Sequence, residues 1–195
     1  MEKHYISSNC RTSLKSEQIV KIILEVWDWI FESKVGCFCI GQDIFPSPQI
    51  MSFLLHELIA LKLAQDFPTL WKKGVASNEK DLVCLTNDRF SIEIKASSDK
   101  KHIFGNRSYA QPSSSNRKSK SGYYLTVNFQ KFSHSSPHVK SEYPKIEMIR
   151  FGYIEHTDWI AQKASSGQQS RLPRSVYEHK LCILYQNIES KSLKK

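Results

Sequence analysis

The chain has 195 residues, 40% of them hydrophobic and 11% aromatic, with a formal net charge of +9. That length suits one domain with a core that needs no staples, and the composition excludes an intrinsically disordered protein. No run of about 18 apolar residues occurs, and the first residues lack the apolar segment of a secretory signal, so a cytoplasmic protein without membrane spans is expected.

Ser16 to Phe31 places apolar residues at Ile19, Ile22, Ile23, Val26, Trp27, Ile30 and Phe31, the spacing of one helix face, with Ser16 as N-cap. Pro46-Ser47-Pro48 opens a second helix over about 49–65, closed before Pro68. It is apolar nearly all round, which predicts burial, and Glu57 is the acidic residue inside it. Two short strands follow, Leu82 to Thr86 and Phe90 to Ala96, with Asn87-Asp88-Arg89 as the turn between them. Residues 97–122 form a long polar, basic stretch that either contacts a ligand or moves. Strands resume over Tyr123 to Phe129 and Ile146 to Tyr153. Thr157 to Ala164 reads as a short helix and Leu181 to Tyr185 as a last strand. The order predicts a single α/β domain over 1–195 with a mixed sheet.

The five cysteines are odd in number and form no C-x-x-C pair, which argues against a zinc site or a disulfide scaffold. Cys84 and Cys182 lie in apolar runs and read as buried thiols. His56, on an apolar helix, reads as a core histidine. Trp27, Trp29, Trp71 and Trp159 read as core or interface residues.

Charge is unevenly placed. Residues 1–99 hold 11 Lys/Arg against 13 Asp/Glu, and residues 100–195 hold 17 against 6. No acidic residue occurs between Lys100 and Ser141. Such asymmetry points to a polyanion. A membrane surface would also attract it, but no basic amphipathic helix is apparent there, and polar and aromatic residues alternate with the basic ones as in nucleic-acid-binding loops.

The segment DLVCLTNDRFSIEIKAS, Asp81 to Ser97, carries the chemistry. A hairpin with a three-residue loop sets Asp81 opposite Lys95 and shares one face among Asp81, Val83, Leu85, Ser91, Glu93 and Lys95. The other face, from Leu82 to Ala96, is core-like. A two-residue loop would turn Asp81 to the wrong side. Two carboxylates bind Mg²⁺ as hard oxygen ligands and leave positions for water and phosphate oxygens. The carbonyl of Ile94 is a further candidate ligand, and Glu57 another from the preceding helix. Lys95 suits holding or deprotonating the attacking water, or stabilising transition-state charge. Phosphodiester hydrolysis needs this set. A D…E-x-K pattern taken alone is also that of a solvated strand face. The core-like opposite face and the adjoining cationic loop favour a site.

Asp81, Glu93 and Lys95 match the PD-(D/E)XK motif, with Lys80 in the proline position. Around them, IEIKASSDKKHIFGNRSYAQP (Ile92 to Pro112) and IRFGYIEHTDWIAQKASSGQQSRL (Ile149 to Leu172) resemble type II restriction endonucleases of the PD-(D/E)XK superfamily, of the ScaI kind. The triad is weakly specific, and the run FGNRSYAQ, Phe104 to Gln111, more so. The resemblance implies a restriction-endonuclease-like core, a mixed sheet flanked by helices. It implies a Mg²⁺-dependent homodimer cutting double-stranded DNA at a short palindrome, with a cognate DNA methyltransferase as a separate partner. It makes Asn106, Arg107, Ser108, Tyr109 and Gln111 candidates for DNA contact. Arg117, Lys118 and Lys120 are candidates for phosphate contact, and Gln168, Gln169 and Arg171 for a second patch. Two alternatives stay open: a junction or mismatch nuclease with the same site, and a non-catalytic basic DNA-binding protein.

Overall fold

The fold is taken from a computed structural model that describes residues 14–111, 118–132, 143–164 and 166–188. Helix α1 spans Ser16–Glu32 and buries Ile19, Ile22, Ile23, Val26, Trp27, Ile30 and Phe31, as their spacing predicts. Each such side chain contributes about 1.5–3 kcal/mol on burial. The cap lies one residue earlier than expected, at Lys15, whose N–H donates to Gln18 Oε1 at 3.0 Å. A two-rung hairpin of β1 (Lys34–Val35) and β2 (Phe38–Cys39) leads to α2, Pro48–Asp66.

A six-stranded sheet forms the centre. Its strands are β3 (Trp71–Lys73), β4 (Leu82–Cys84), β5 (Ile92–Ser97), β7 (Gly122–Phe129), β8 (Ile146–Ile154) and β11 (Leu181–Gln186). The spatial order is β11-β8-β7-β5-β4-β3. The β5–β7 pair is parallel and the others are antiparallel, so the mixed α/β sheet expected from the element order is present. A parallel pair needs a long crossover, which the polar stretch after β5 supplies. Along the way it forms β6 (Phe104–Asn106), which pairs with β10 (Gln169–Arg171). A third strand, β9 (Ile160–Ala161), completes a second, small sheet. Helix α3, Arg174–His179, precedes the last strand.

Strand alternation divides the core in two. Leu82, Cys84, Ile92, Ile94, Leu125, Val127 and Phe129 face α1 and α2. On the opposite side Tyr124, Ile154 and Leu181 pack with Ile103, Tyr109, Trp159, Leu172 and Val176, under the small sheet and α3. Glu93 and Lys95 alternate with Ile92 and Ile94, so they lie on this second side.

Several expectations change. The β4–β5 hairpin has no three-residue loop: Leu82 pairs with Ile92, which sets Asp81 opposite Glu93 rather than Lys95. A 3₁₀ turn over Asp88–Phe90 lengthens the connection, with Asn87 accepting from the Arg89 N–H. The shift is two residues, so the face assignment survives. The stretch from Thr157 is not a helix but a 3₁₀ turn, His156–Asp158, running into β9. Cys84 is buried, whereas Cys182 is exposed because β11 is an edge strand. Helix α2 buries Met51, Leu55, Ile59, Ala60 and Leu63 and leaves Ile50, Phe53 and Leu61 exposed, so its all-round apolar character has two causes. No helix among the described residues is long and apolar enough to cross a membrane.

Candidate active site

Asp81 immediately precedes β4, and Glu93 and Lys95 stand on β5. The Asp81 side chain reaches across to the neighbouring strand, where Oδ2 accepts the Ile94 backbone N–H at 2.7 Å. His56 of α2 holds the same oxygen through Nε2 at 3.1 Å. Glu93 is 2% exposed, a depth at which a carboxylate requires partners. Its Oε1 accepts from Lys95 Nζ at 2.9 Å and from the Tyr109 hydroxyl at 2.5 Å.

The remaining oxygens converge. Lys118 Nζ lies 2.7 Å from Asp81 Oδ1 and 2.6 Å from Glu93 Oε2. One cation therefore sits between two carboxylates that face each other across the strand pair. Burial alone would raise the Asp81 carboxyl, but His56 and Lys118 outweigh it and hold the group well below the usual carboxylate range. Glu93 is likewise held low, against both its burial and the charge of Asp81, by Lys95 and Lys118. Both are anions at neutral pH. Lys80, in the position next to Asp81, is buried with its amine over the Tyr124 ring at 5.2 Å and has no hydrogen-bond partner among the described residues. Burial brings its pKa down to about 8.

The geometry is that of two carboxylates facing one ammonium, with a second lysine beside them. The sequence profile of the ScaI restriction endonuclease family matches residues 8–185. The chain belongs to the ScaI restriction endonuclease family. The type II restriction enzyme ScaI of Streptomyces caespitosus is 44% identical over 174 residues, covering 88% of this chain and 74% of its own length. No solved structure matches the chain.

Membership of the family implies a divalent cation, and the residues fit one. Two hard oxygens already share a single positive charge, supplied by the Lys118 ammonium. Among the described residues no group of three His, Cys, Asp or Glu side chains gathers as a closed metal cage. A hard cation that keeps waters and takes substrate oxygens needs only one or two carboxylates.

Glu57 does not join this pair. Its carboxylate engages His56 Nδ1 at 3.4 Å and the Lys73 ammonium, so one histidine separates it from Asp81. It braces His56, which is a half-buried part of the site and not a core histidine.

Of the residues considered for DNA contact, Asn106, Gln169 and Arg171 fall on the small sheet, and Arg107, Ser108, Gln111 and Gln168 beside it. Asn106 ends β6 and is the rung partner of Gln169, and the Arg107 N–H donates to the Gln168 carbonyl at 2.7 Å. Two stretches distant in the sequence thus form one surface, on which Asn106, Ser108, Gln111, Gln168, Gln169 and Arg171 are exposed. Arg107 is half-buried and its Nη1 lies 3.4 and 3.3 Å from the carbonyls of Ala164 and Gly167. Tyr109 departs from expectation: it is turned inward, 6% exposed, with its hydroxyl on Glu93. Lys118 is drawn into the carboxylate pair, and Lys120 lies over the Tyr109 ring at 4.4 Å. Arg117 lies outside the described residues. The roles of His56 and Lys118 at the carboxylates left no periodic or motif signal. Both depend on pairings between distant segments.

Proposed function

We propose that this chain is a Mg²⁺-dependent type II restriction endonuclease, acting as a homodimer in the cytoplasm on a short palindromic site in double-stranded DNA. The observation that carries this reading is the convergence of Asp81 Oδ1 and Glu93 Oε2 on one cation, with Lys95 hydrogen-bonded to the same Glu93.

Asp81, Glu93 and the Ile94 carbonyl would hold the metal. When bound, it neutralises phosphate charge and lowers the pKa of a coordinated water. The chain's own groups do the rest. Lys95 is placed to orient the attacking water or to balance charge growing on the phosphate. Asp81 is kept anionic by His56 and braced on the Ile94 N–H through Oδ2, which leaves Oδ1 as the oxygen shared with the cation. Hydrolysis forms one bond from phosphorus to the water oxygen and breaks one to a sugar oxygen, which leaves with a proton.

Asn106, Arg107, Ser108, Gln111, Gln168, Gln169 and Arg171 are proposed to meet DNA, with Lys118, Lys120 and Arg117 on phosphates. Asn and Gln suit adenine edges and Arg suits guanine. Two features support the dimer. Cutting both strands of a palindrome suits two-fold symmetry. Helix α2 also leaves Ile50, Phe53 and Leu61 exposed at 52%, 62% and 49%, an apolar row that a second copy would cover. A cognate methyltransferase would protect host DNA without direct contact.

Phage-length DNA incubated with the protein in Mg²⁺ or in EDTA tests this, beside Lys95→Ala. Discrete fragments that require Mg²⁺ and disappear in the variant are expected, and their ends give the site. Intact linear DNA together with cleavage of a four-way junction would establish the junction nuclease instead. Binding without cutting of any substrate would leave a non-catalytic DNA-binding protein.

A further inference from the structure

Tyr109 stands in the run FGNRSYAQ but takes no place on the outer surface. Its hydroxyl donates to Glu93 Oε1 at 2.5 Å, the oxygen that Lys95 Nζ also reaches at 2.9 Å. That leaves Glu93 Oε2 as the oxygen turned toward Asp81 Oδ1. A carboxylate on a two-bond stem rotates freely unless one oxygen is held. Here a phenol on a rigid ring holds it.

The ring itself is fixed from all sides. Lys95 Nζ lies over it at 4.7 Å and Lys120 Nζ at 4.4 Å, and Trp159 packs against it with centroids 5.1 Å apart. Gly105 of β6 comes so close that a Cβ there would lie 3.0 Å from the Tyr109 ring and 3.1 Å from Ser170 Oγ. A side chain at position 105 would therefore press on the ring. Tyr109 also sits on the 3₁₀ turn Arg107–Ala110, directly after Asn106. The turn that follows β6 and carries Arg107 and Ser108 therefore touches Glu93 through one side chain.

We propose that Tyr109 is a positioning residue for Glu93 and Lys95. It fixes the rotation of the Glu93 carboxylate so that Oε2 is presented to the divalent cation, and it ties that orientation to the placement of β6. The proposal rests on the reading of Asp81 and Glu93 as the cation's ligands. Partners of this kind around a metal ligand are worth about 10–100-fold in metal affinity or activity.

The test uses the full chain as Tyr109→Phe, which keeps the ring, its volume and its contacts with the two amines and removes only the hydroxyl. Glu93→Gln is the companion variant. Mn²⁺ affinity is read without DNA by electron paramagnetic resonance of the free ion. Melting temperature is read in EDTA, and kcat and KM on phage DNA in Mg²⁺. Tyr109→Phe is expected to bind Mn²⁺ about tenfold more weakly and to lose a comparable factor in kcat, with KM for DNA within about twofold of wild type. A variant less stable in EDTA is measured below its transition, so the affinity is still read on folded protein. Mn²⁺ affinity within twofold of wild type in Tyr109→Phe, where Glu93→Gln has lost it, overturns the role of Tyr109 and leaves the ligand assignment intact. Unchanged Mn²⁺ binding in Glu93→Gln as well overturns the ligand assignment and the proposal with it.

Discussion

Asp81 Oδ2 accepts the Ile94 backbone N–H at 2.7 Å, where an antiparallel neighbour would ordinarily supply a carbonyl. Strands β4 and β5 share one registered pair, Leu82 with Ile92, so this side chain continues a ladder that the backbone leaves off. The residue proposed to hold the metal also pins the two strands that form the site.

That double duty predicts different outcomes for two substitutions. Asp81→Asn and Asp81→Ala both lose cleavage, because neither supplies an anionic oxygen. Asparagine retains an acceptor for the Ile94 N–H, whereas alanine leaves a buried donor unpaired, at a cost of about 1–3 kcal/mol. In EDTA, Asp81→Ala is expected to melt several degrees below Asp81→Asn. Equal melting temperatures would show that the Ile94 contact adds nothing to stability.

Lys118 fills the space between the two carboxylates, at 2.7 and 2.6 Å. An entering cation has to displace it. Lys118→Met is therefore expected to tighten Mn²⁺ binding in the absence of DNA by roughly fivefold, the equivalent of ~1 kcal/mol. The same change is expected to weaken DNA binding at low salt if the displaced amine moves to a phosphate. Calorimetric titration with Mn²⁺ checks the first effect, and weaker rather than tighter binding would contradict it.

Lys80 is buried with no hydrogen-bond partner among the described residues, and its pKa is brought down to about 8 by burial. Below pH 8 the amine is charged in both folded and unfolded chains, and the folded state bears the full cost of burying it. Between pH 8 and the ordinary lysine value the folded chain sheds the proton first, so wild-type stability rises with pH. Lys80→Met is expected to gain about 1–3 kcal/mol over wild type at pH 7, and that advantage is expected to shrink as pH rises past 8. Denaturant unfolding in EDTA at pH 7 and pH 10 measures both. An advantage that grows with pH would reverse the sign and refute the assignment of the shift to burial.

Phe53 is 62% exposed on the outer side of α2. If Ile50, Phe53 and Leu61 meet a second copy, Phe53→Glu converts a dimer to a monomer in sedimentation velocity without lowering the melting temperature of the protomer. A variant that sediments as wild type would place the two-fold interface elsewhere.

Much of the frame is legible in the sequence where one physical signal acts alone. Helix α1 declares its buried face because nothing but the core selects those seven positions. The strand carrying Glu93 and Lys95 alternates cleanly because one side packs on Ile92 and Ile94 while the other is polar. Helix α2 misleads for the converse reason: apolar residues required by the core and apolar residues left outside give the same all-round pattern. The small sheet is invisible because β6, β9 and β10 span two or three residues each, too short for a period to develop. Tyr109 is the sharpest case. Tyrosine in a polar run reads equally well as a DNA contact or a buried donor, and the close approach of Gly105 decides between them. The register of β4 on β5 differs by two residues from a tight hairpin, a difference that side-chain alternation cannot detect.

With Asn106 and Gln169 meeting DNA as proposed, the rung between them has a consequence for how such an enzyme changes its target. Residues at the two ends of that rung occupy adjacent places on one strip of surface while belonging to segments encoded far apart. Exchanging either segment alone with a relative of different preference would leave half of the old strip in place, opposite half of the new one. New sequence preferences in this fold are therefore expected to arise by paired changes in both segments, and single-segment chimeras to lose discrimination rather than acquire another.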